Sequence, residues 1–119
     1  MASYKVLVYN PGELDKYVDL LSKQAPELEL LPCETEDDIR KHISEADILF
    51  VSITFPTNHI QQAEKATWIQ TMGAGVERFT QDITLPKGIT LTRINTGFGY
   101  RIAEFIFAHL LYLTQRLDE

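Results

Sequence analysis

The chain has 119 residues, 45% of them hydrophobic, enough apolar material for one compact core and too little for two. A net charge of -6 and a pI near 5.0 exclude nucleic-acid phosphates and anionic membrane surfaces as its main partners. The one cysteine, Cys33, cannot close an internal disulfide and has no zinc-type spacing around it, so a reducing, cytoplasmic compartment is expected.

In chain order, Met1 to Asn10 lacks the pattern of a signal peptide. Lys5 to Tyr9 reads as a buried strand stopped by Asn10-Pro11-Gly12. Leu14, Tyr17, Val18, Leu20 and Leu21 then recur at three- and four-residue spacing, which predicts an amphipathic helix from Glu13 to Lys23, closed before Pro26. Glu29 to Leu31 is a weak strand. Thr35, with Asp38 three residues on, caps a predicted helix from Glu36 to Ser44. Asp47 to Val51 is a strong strand that runs out through Ser52 to Pro56 into a loop, with a short helix expected over Asn58 to Lys65. Trp68 to Met72 gives a fourth strand, and Ile89 to Arg93 a fifth, entered through the Leu85-Pro86-Lys87-Gly88 turn.

Apolar strands alternating with amphipathic helices predict a three-layer α/β/α fold around a five-stranded parallel sheet, with a flavodoxin-like strand order. The last predicted helix, Arg101 to Leu117, carries Ile102, Phe105, Ile106, Phe107, Leu110, Leu111, Tyr112 and Leu113, and is apolar nearly all round. Such a helix needs a second domain or subunit to cover it. Its longest apolar stretch, Phe105 to Leu113, falls well short of the roughly 20 residues needed to span a bilayer.

Two stretches can carry chemistry. Gly73-Ala74-Gly75-Val76 leaves the fourth strand at its carboxyl end, where parallel sheets bind ligands, and successive amides there would form a nest for a carboxylate or phosphate. A simpler reading has these glycines serving only a tight strand-to-helix turn. As a dinucleotide fingerprint the stretch fails: Arg78 stands where a third glycine belongs, and Arg93 rather than an acidic residue lies near the ribose position. Arg93 to Glu104, rich in glycine, leaves the fifth strand on the same sheet edge, and Gly97 and Phe98 could contact a cleft facing the nest; the simpler reading is a Gly-rich loop with Glu104 stabilised near a helix amino terminus. His42, His59 and His109 read as structural or surface residues, and the acidic run Glu34 to Asp38 as a solvated helix start rather than a metal site.

Taken together and in order, Trp68 to Val76, Leu85 to Leu91 and Asn95 to Glu104 resemble the D-isomer-specific 2-hydroxyacid dehydrogenases, especially the glyoxylate/hydroxypyruvate reductase A-like branch, over roughly residues 47 to 117. The resemblance implies an NAD- or NADP-dependent oxidoreductase that interconverts 2-oxo acids and D-2-hydroxy acids. Residues 1–100 would be its substrate-binding segment, and 101–119 an interdomain helix contributing to a homodimer. Within the first segment, Gly73, Ala74, Gly75 and Val76 would hold the substrate carboxylate, while Ser52, Thr54 and Phe55 would line its side chain. The family's arginine, histidine and acidic catalytic groups lie in or after a nucleotide-binding domain, so the resemblance assigns no catalytic residue here and implies an inactive chain on its own. Glu77 departs from the family's usual aspartate.

A free-standing flavodoxin-like binding module, or a dimerisation or regulatory subunit, is the competing expectation. Asn10-Pro11 and Ser52-Ile53-Thr54 lack the acidic residues of a phosphorylation receiver, and Asn10 to Glu13 makes a poor FMN phosphate loop.

Overall fold

The computed structural model describes residues 3–116. Strands β1 (Lys5–Tyr9), β2 (Glu29–Cys33), β3 (Ile48–Val51), β4 (Trp68–Thr71) and β5 (Thr90–Thr92) form one sheet in the order β2-β1-β3-β4-β5. Every pairing is parallel, with Leu7 beside Leu31 and Leu49, and Ile69 beside Leu49 and Leu91. This is the flavodoxin-like order that the alternating pattern predicts. Strand β2 runs further than its sequence suggests, through Pro32, which an edge strand tolerates.

Helix α1 spans Leu14–Gln24. The Asn10 side-chain oxygen accepts hydrogen bonds from the amides of Gly12 at 3.0 Å and Glu13 at 2.9 Å, so the turn leading into the helix is closed by a side chain mimicking backbone. Helix α2 spans Glu36–His42 and begins with a capping box. Thr35 Oγ1 accepts from the Asp38 amide at 3.3 Å, while the Asp38 carboxylate accepts from the amides of Thr35 at 3.2 Å and Glu34 at 3.1 Å. Acidic Glu36 and Asp37 in the first turn and basic Arg40 and Lys41 in the last complement the helix dipole.

The two backbone amides hold the Asp38 carboxyl below its ordinary 3.8, with Thr35 Oγ1 and the charge of Lys41 acting in the same direction. A depressed carboxyl stabilises the fold above the unfolded value and loses that contribution as pH falls through the folded value. Urea melts of the chain and of Asp38→Asn, taken from pH 6 downward, should therefore converge below about pH 4. A constant gap between them across that range would show that the box adds nothing through its charge.

Where an α-helix is expected over Asn58 to Lys65, a 3-10 helix forms over Thr57–Gln62. Thr57, His59, Ile60 and Ala63 are buried, and Thr57, Ile60 and Ala63 recur at the three-residue period that a 3-10 helix stacks on one face. Helix α3 is a single turn, Glu77–Thr80. Helix α4 runs over Gly99–Thr114, starting two residues before the predicted point, while Leu117 lies outside the described residues.

The core lies on one face of the sheet. Leu7, Leu31, Cys33, Leu49, Val51 and Ile69 point toward Ile39 and Ile43 of α2, Ile60 of the 3-10 helix and Phe79 of α3. Cys33 is a buried apolar member of this layer, and burial first, then the charge of Asp38, pushes its thiol up to about 12, so it stays protonated. Across the sheet, α1 covers Val6 and Val8, and Tyr17 meets Phe50 edge-on at 5.6 Å. That layer stops short. Ile48, Phe50 and Gln70 are half-buried and Trp68 is 40% exposed. Every residue of α4 is exposed, and the chain has a radius of gyration of 17.9 Å, against about 13–14 Å for a compact domain of this length.

Candidate functional site

The site is built where β3, β4 and β5 end. Beyond β4, the carbonyl of Gly73 accepts from Thr71 Oγ1 at 2.7 Å and from the Ile94 amide at 3.2 Å, and the carbonyl of Ala74 accepts from Arg93 Nη1 at 3.3 Å. In a planar trans peptide the next N–H points opposite to the carbonyl. Carbonyls turned toward Thr71, Arg93 and Ile94 therefore turn the amides of Ala74 and Gly75 outward, away from them. Among the described residues, none of the amides of Gly73, Ala74, Gly75 and Val76 donates to a protein acceptor. A run of outward amides is an anion-binding geometry.

The loop after β3 supplies a wall. Ile53, Gly75, Glu77, Arg78 and Phe79 line a shallow cleft of about 120 Å³. Arg78 Nη1 donates to the Ile53 carbonyl at 3.2 Å, which ties the start of α3 to that loop. Position 73 lies close under this loop: a Cβ there would come to 3.2 Å from Ile53 Cγ2, so the Ile53 side chain would have to give by a few tenths of an ångström. At position 75 a Cβ would meet the Glu77 carboxylate at 3.1 Å, so this side chain already leans over the turn. Ser52 and Thr54 bond to each other through their hydroxyls at 3.0 Å, with the Thr54 amide donating to Ser52 Oγ at 3.2 Å, and Thr54 is exposed. Beyond β1, Asn10 Nδ2 reaches Met72 Sδ at 3.4 Å and so joins the first loop to the fourth.

Not every candidate arrives. Phe55 is fully buried and meets Tyr9 edge-on at 5.4 Å, so its ring belongs to the core and does not line a cleft. Gly97 stands in the left-handed region (φ 89°) with nothing within 4 Å of where a Cβ would sit, and Phe98 is 41% exposed. Neither lines the cleft beside Gly75, which faces the post-β3 loop instead of the Asn95 to Tyr100 segment. Arg78 and Ile53 are the residues that sequence reasoning passed over. The available signal was the three-residue step from Gly75 to Arg78 at a helix start, which sets a cation on the side of the turn.

The histidines lie elsewhere. His42 Nδ1 is 3.2 Å from Glu45, His59 is buried with Nε2 3.3 Å from Glu36, and His109 stacks on Phe105 with ring centroids 4.2 Å apart. Among the described residues no cluster of His, Cys, Asp and Glu could hold a metal, and no helix is long and apolar enough to cross a membrane. The residues present do not fit a nicotinamide dinucleotide: Arg78 blocks the third-glycine position, and α3, only four residues long, offers a pyrophosphate almost no helix dipole.

No protein-family model matches the chain, and no curated protein matches it. Among solved structures, the chain is similar over 98% of its length, at 29% identity and a TM-score of 0.84, to a D-isomer specific 2-hydroxyacid dehydrogenase family protein from Aeromonas salmonicida subsp. salmonicida, of which it spans 37%.

Proposed function

We propose that this chain is the substrate-binding part of an NAD(P)-dependent dehydrogenase acting on 2-oxo and D-2-hydroxy acids, of the glyoxylate or hydroxypyruvate type. One observation carries the reading: the unpartnered amides of Gly73 to Val76 stand at the carboxyl edge of a parallel sheet, in a chain similar throughout to a protein of that family. The amides of Ala74, Gly75 and Val76 receive the substrate carboxylate, and Ile53 and Thr54 meet its side chain. Arg78 adds a cation if it releases the Ile53 carbonyl. The nucleotide-binding domain, the NAD or NADP it carries and the groups that move hydride and proton belong to sequence outside these 119 residues, so the chain alone binds without turnover. In the complete enzyme, residues 101–117 cross between domains and join a homodimer, and the compartment is cytoplasmic.

Titration with oxalate or glyoxylate, followed by amide resonances, should move Gly75 and Val76 at millimolar ligand. Binding is weak because an exposed anion gains little without a buried cation. Equal shifts with chloride, or still signals at both residues, would remove the site.

A further inference from the structure

The amide turn after β4 has a charged neighbour with no counter-ion. Glu77 opens α3 and is exposed, and its Oε2 comes to 3.1 Å from where a Cβ on Gly75 would stand. Gly75 is the middle one of the three donors Ala74, Gly75 and Val76. Among the described residues this carboxylate makes no hydrogen bond and no ion pair. Capping does not account for it: the N-cap of α3 is Val76, with no side-chain cap bond, and one turn of helix gathers little dipole. The two arginines beside the turn are held at carbonyls, Arg93 at Ala74, on the side from which the donors turn away, and Arg78 at Ile53. The cleft of about 120 Å³ beside Gly75 thus has an apolar side chain at Ile53 and an unpaired anion at Glu77. An acid held by the amides extends its remaining atoms past these two.

We infer that Glu77 is a specificity-determining residue: it admits 2-oxo and 2-hydroxy acids whose far end is neutral and donates a hydrogen bond, such as a hydroxymethyl group, and it turns away dicarboxylic acids. The inference rests on the carboxylate-binding reading of Gly73 to Val76 and adds the far end of the ligand to it. Two effects set the preference. A carboxylate accepts hydrogen bonds and donates none, so a ligand hydroxyl satisfies it where a ligand carboxylate does not. Two unit charges about 5 Å apart in water also repel enough to weaken binding about fourfold, and the factor grows where ligand and protein displace water. Arg78 is the group that works against this preference, and its bond to the Ile53 carbonyl at 3.2 Å holds it at the loop.

D-glycerate and tartronate test this, because they share a 2-hydroxy acid skeleton and differ at the far end, a hydroxymethyl group in one and a second carboxylate in the other. Titrations at neutral pH, followed at the Gly75 and Val76 amides, should give tighter binding of D-glycerate. Glu77 is exposed and its side chain is bonded to no described residue, so Glu77→Gln keeps the fold. It should tighten tartronate about tenfold and D-glycerate by no more than about threefold. The difference should close in about 1 M salt, where charges more than about 3 Å apart are screened. Equal gains for the two acids would mean that Glu77 acts on the shared carboxylate alone. No gain for either, with both still moving Gly75 and Val76, would mean that Glu77 stands off in solvent. A native preference for tartronate, lost in Arg78→Gln, would give the far end to the guanidinium. Each of these overturns the inference and leaves the cradle standing, whereas silence of both amides toward both acids removes the cradle and the inference with it.

Discussion

Phe55→Ala is expected to lower the stability of this chain by about 3–5 kcal/mol, the usual cost of emptying a phenylalanine site in a closed core. The side chain is fully buried, and its ring meets Tyr9 edge-on at 5.4 Å, an arrangement that adds about 0.5–1.5 kcal/mol beyond burial. Domains of this size have about 5–15 kcal/mol in total, so the variant should sit close to its unfolding midpoint in mild denaturant. Urea melts followed by far-ultraviolet circular dichroism would measure it. A loss below about 1 kcal/mol would mean that Phe55 turns outward and lines the cleft, as its loop position suggests.

Phe79→Ala should cost a similar amount, about 3–5 kcal/mol, and should also disturb the amide cradle. Helix α3 is one turn long and Phe79 is its only buried residue, so this ring alone anchors the helix start that shapes Gly75 and Val76. The amides of Phe79 and Thr80 bond back to the Val76 carbonyl at 2.9 and 3.2 Å, and that of Gln81 to Glu77 at 2.8 Å. Loss of the anchor should speed hydrogen exchange at Thr80 and Gln81 well before global unfolding. Phe79→Leu, which keeps an apolar plug, should cost less than about 1.5 kcal/mol and leave that exchange slow. Equal exchange in the two variants would show that the turn holds without the ring.

Much of the fold is written locally. Strand β1 is recognisable because five apolar-rich residues end at Asn10-Pro11-Gly12, and α2 because Thr35 and Asp38 stand three apart; β1 lies where the sequence puts it, and α2 starts there but ends at His42, two residues short of Ser44. The parallel order follows from alternation and connection length. The failures are tertiary. Ser52 to Phe55 reads equally well with either residue set facing in, and it is the fold that puts Phe55 in the core against Tyr9 and leaves the Ile53 side chain exposed at the cleft. The 3-10 helix escapes because Thr57, Ile60 and Ala63 fit a three-residue period that, over so short a run, resembles part of an α-helical one. Within the site, the glycines mark the turn, but the carbonyls are held by Arg93 and Ile94, just beyond β5. That grip turns the amides of Ala74 and Gly75 away from Arg93 and Ile94, and the cleft beside Gly75 is lined by Ile53 and Arg78, a wall that no local pattern around Gly97 and Phe98 reveals.

A crystal structure of the chain soaked with oxalate would test the cradle most directly. One carboxylate should lie about 2.7–3.1 Å from the amide nitrogens of Ala74 and Gly75, with Ile53 against the ligand. Oxalate bound only to surface cations away from this turn, or those two amides turned inward onto protein carbonyls, would contradict it.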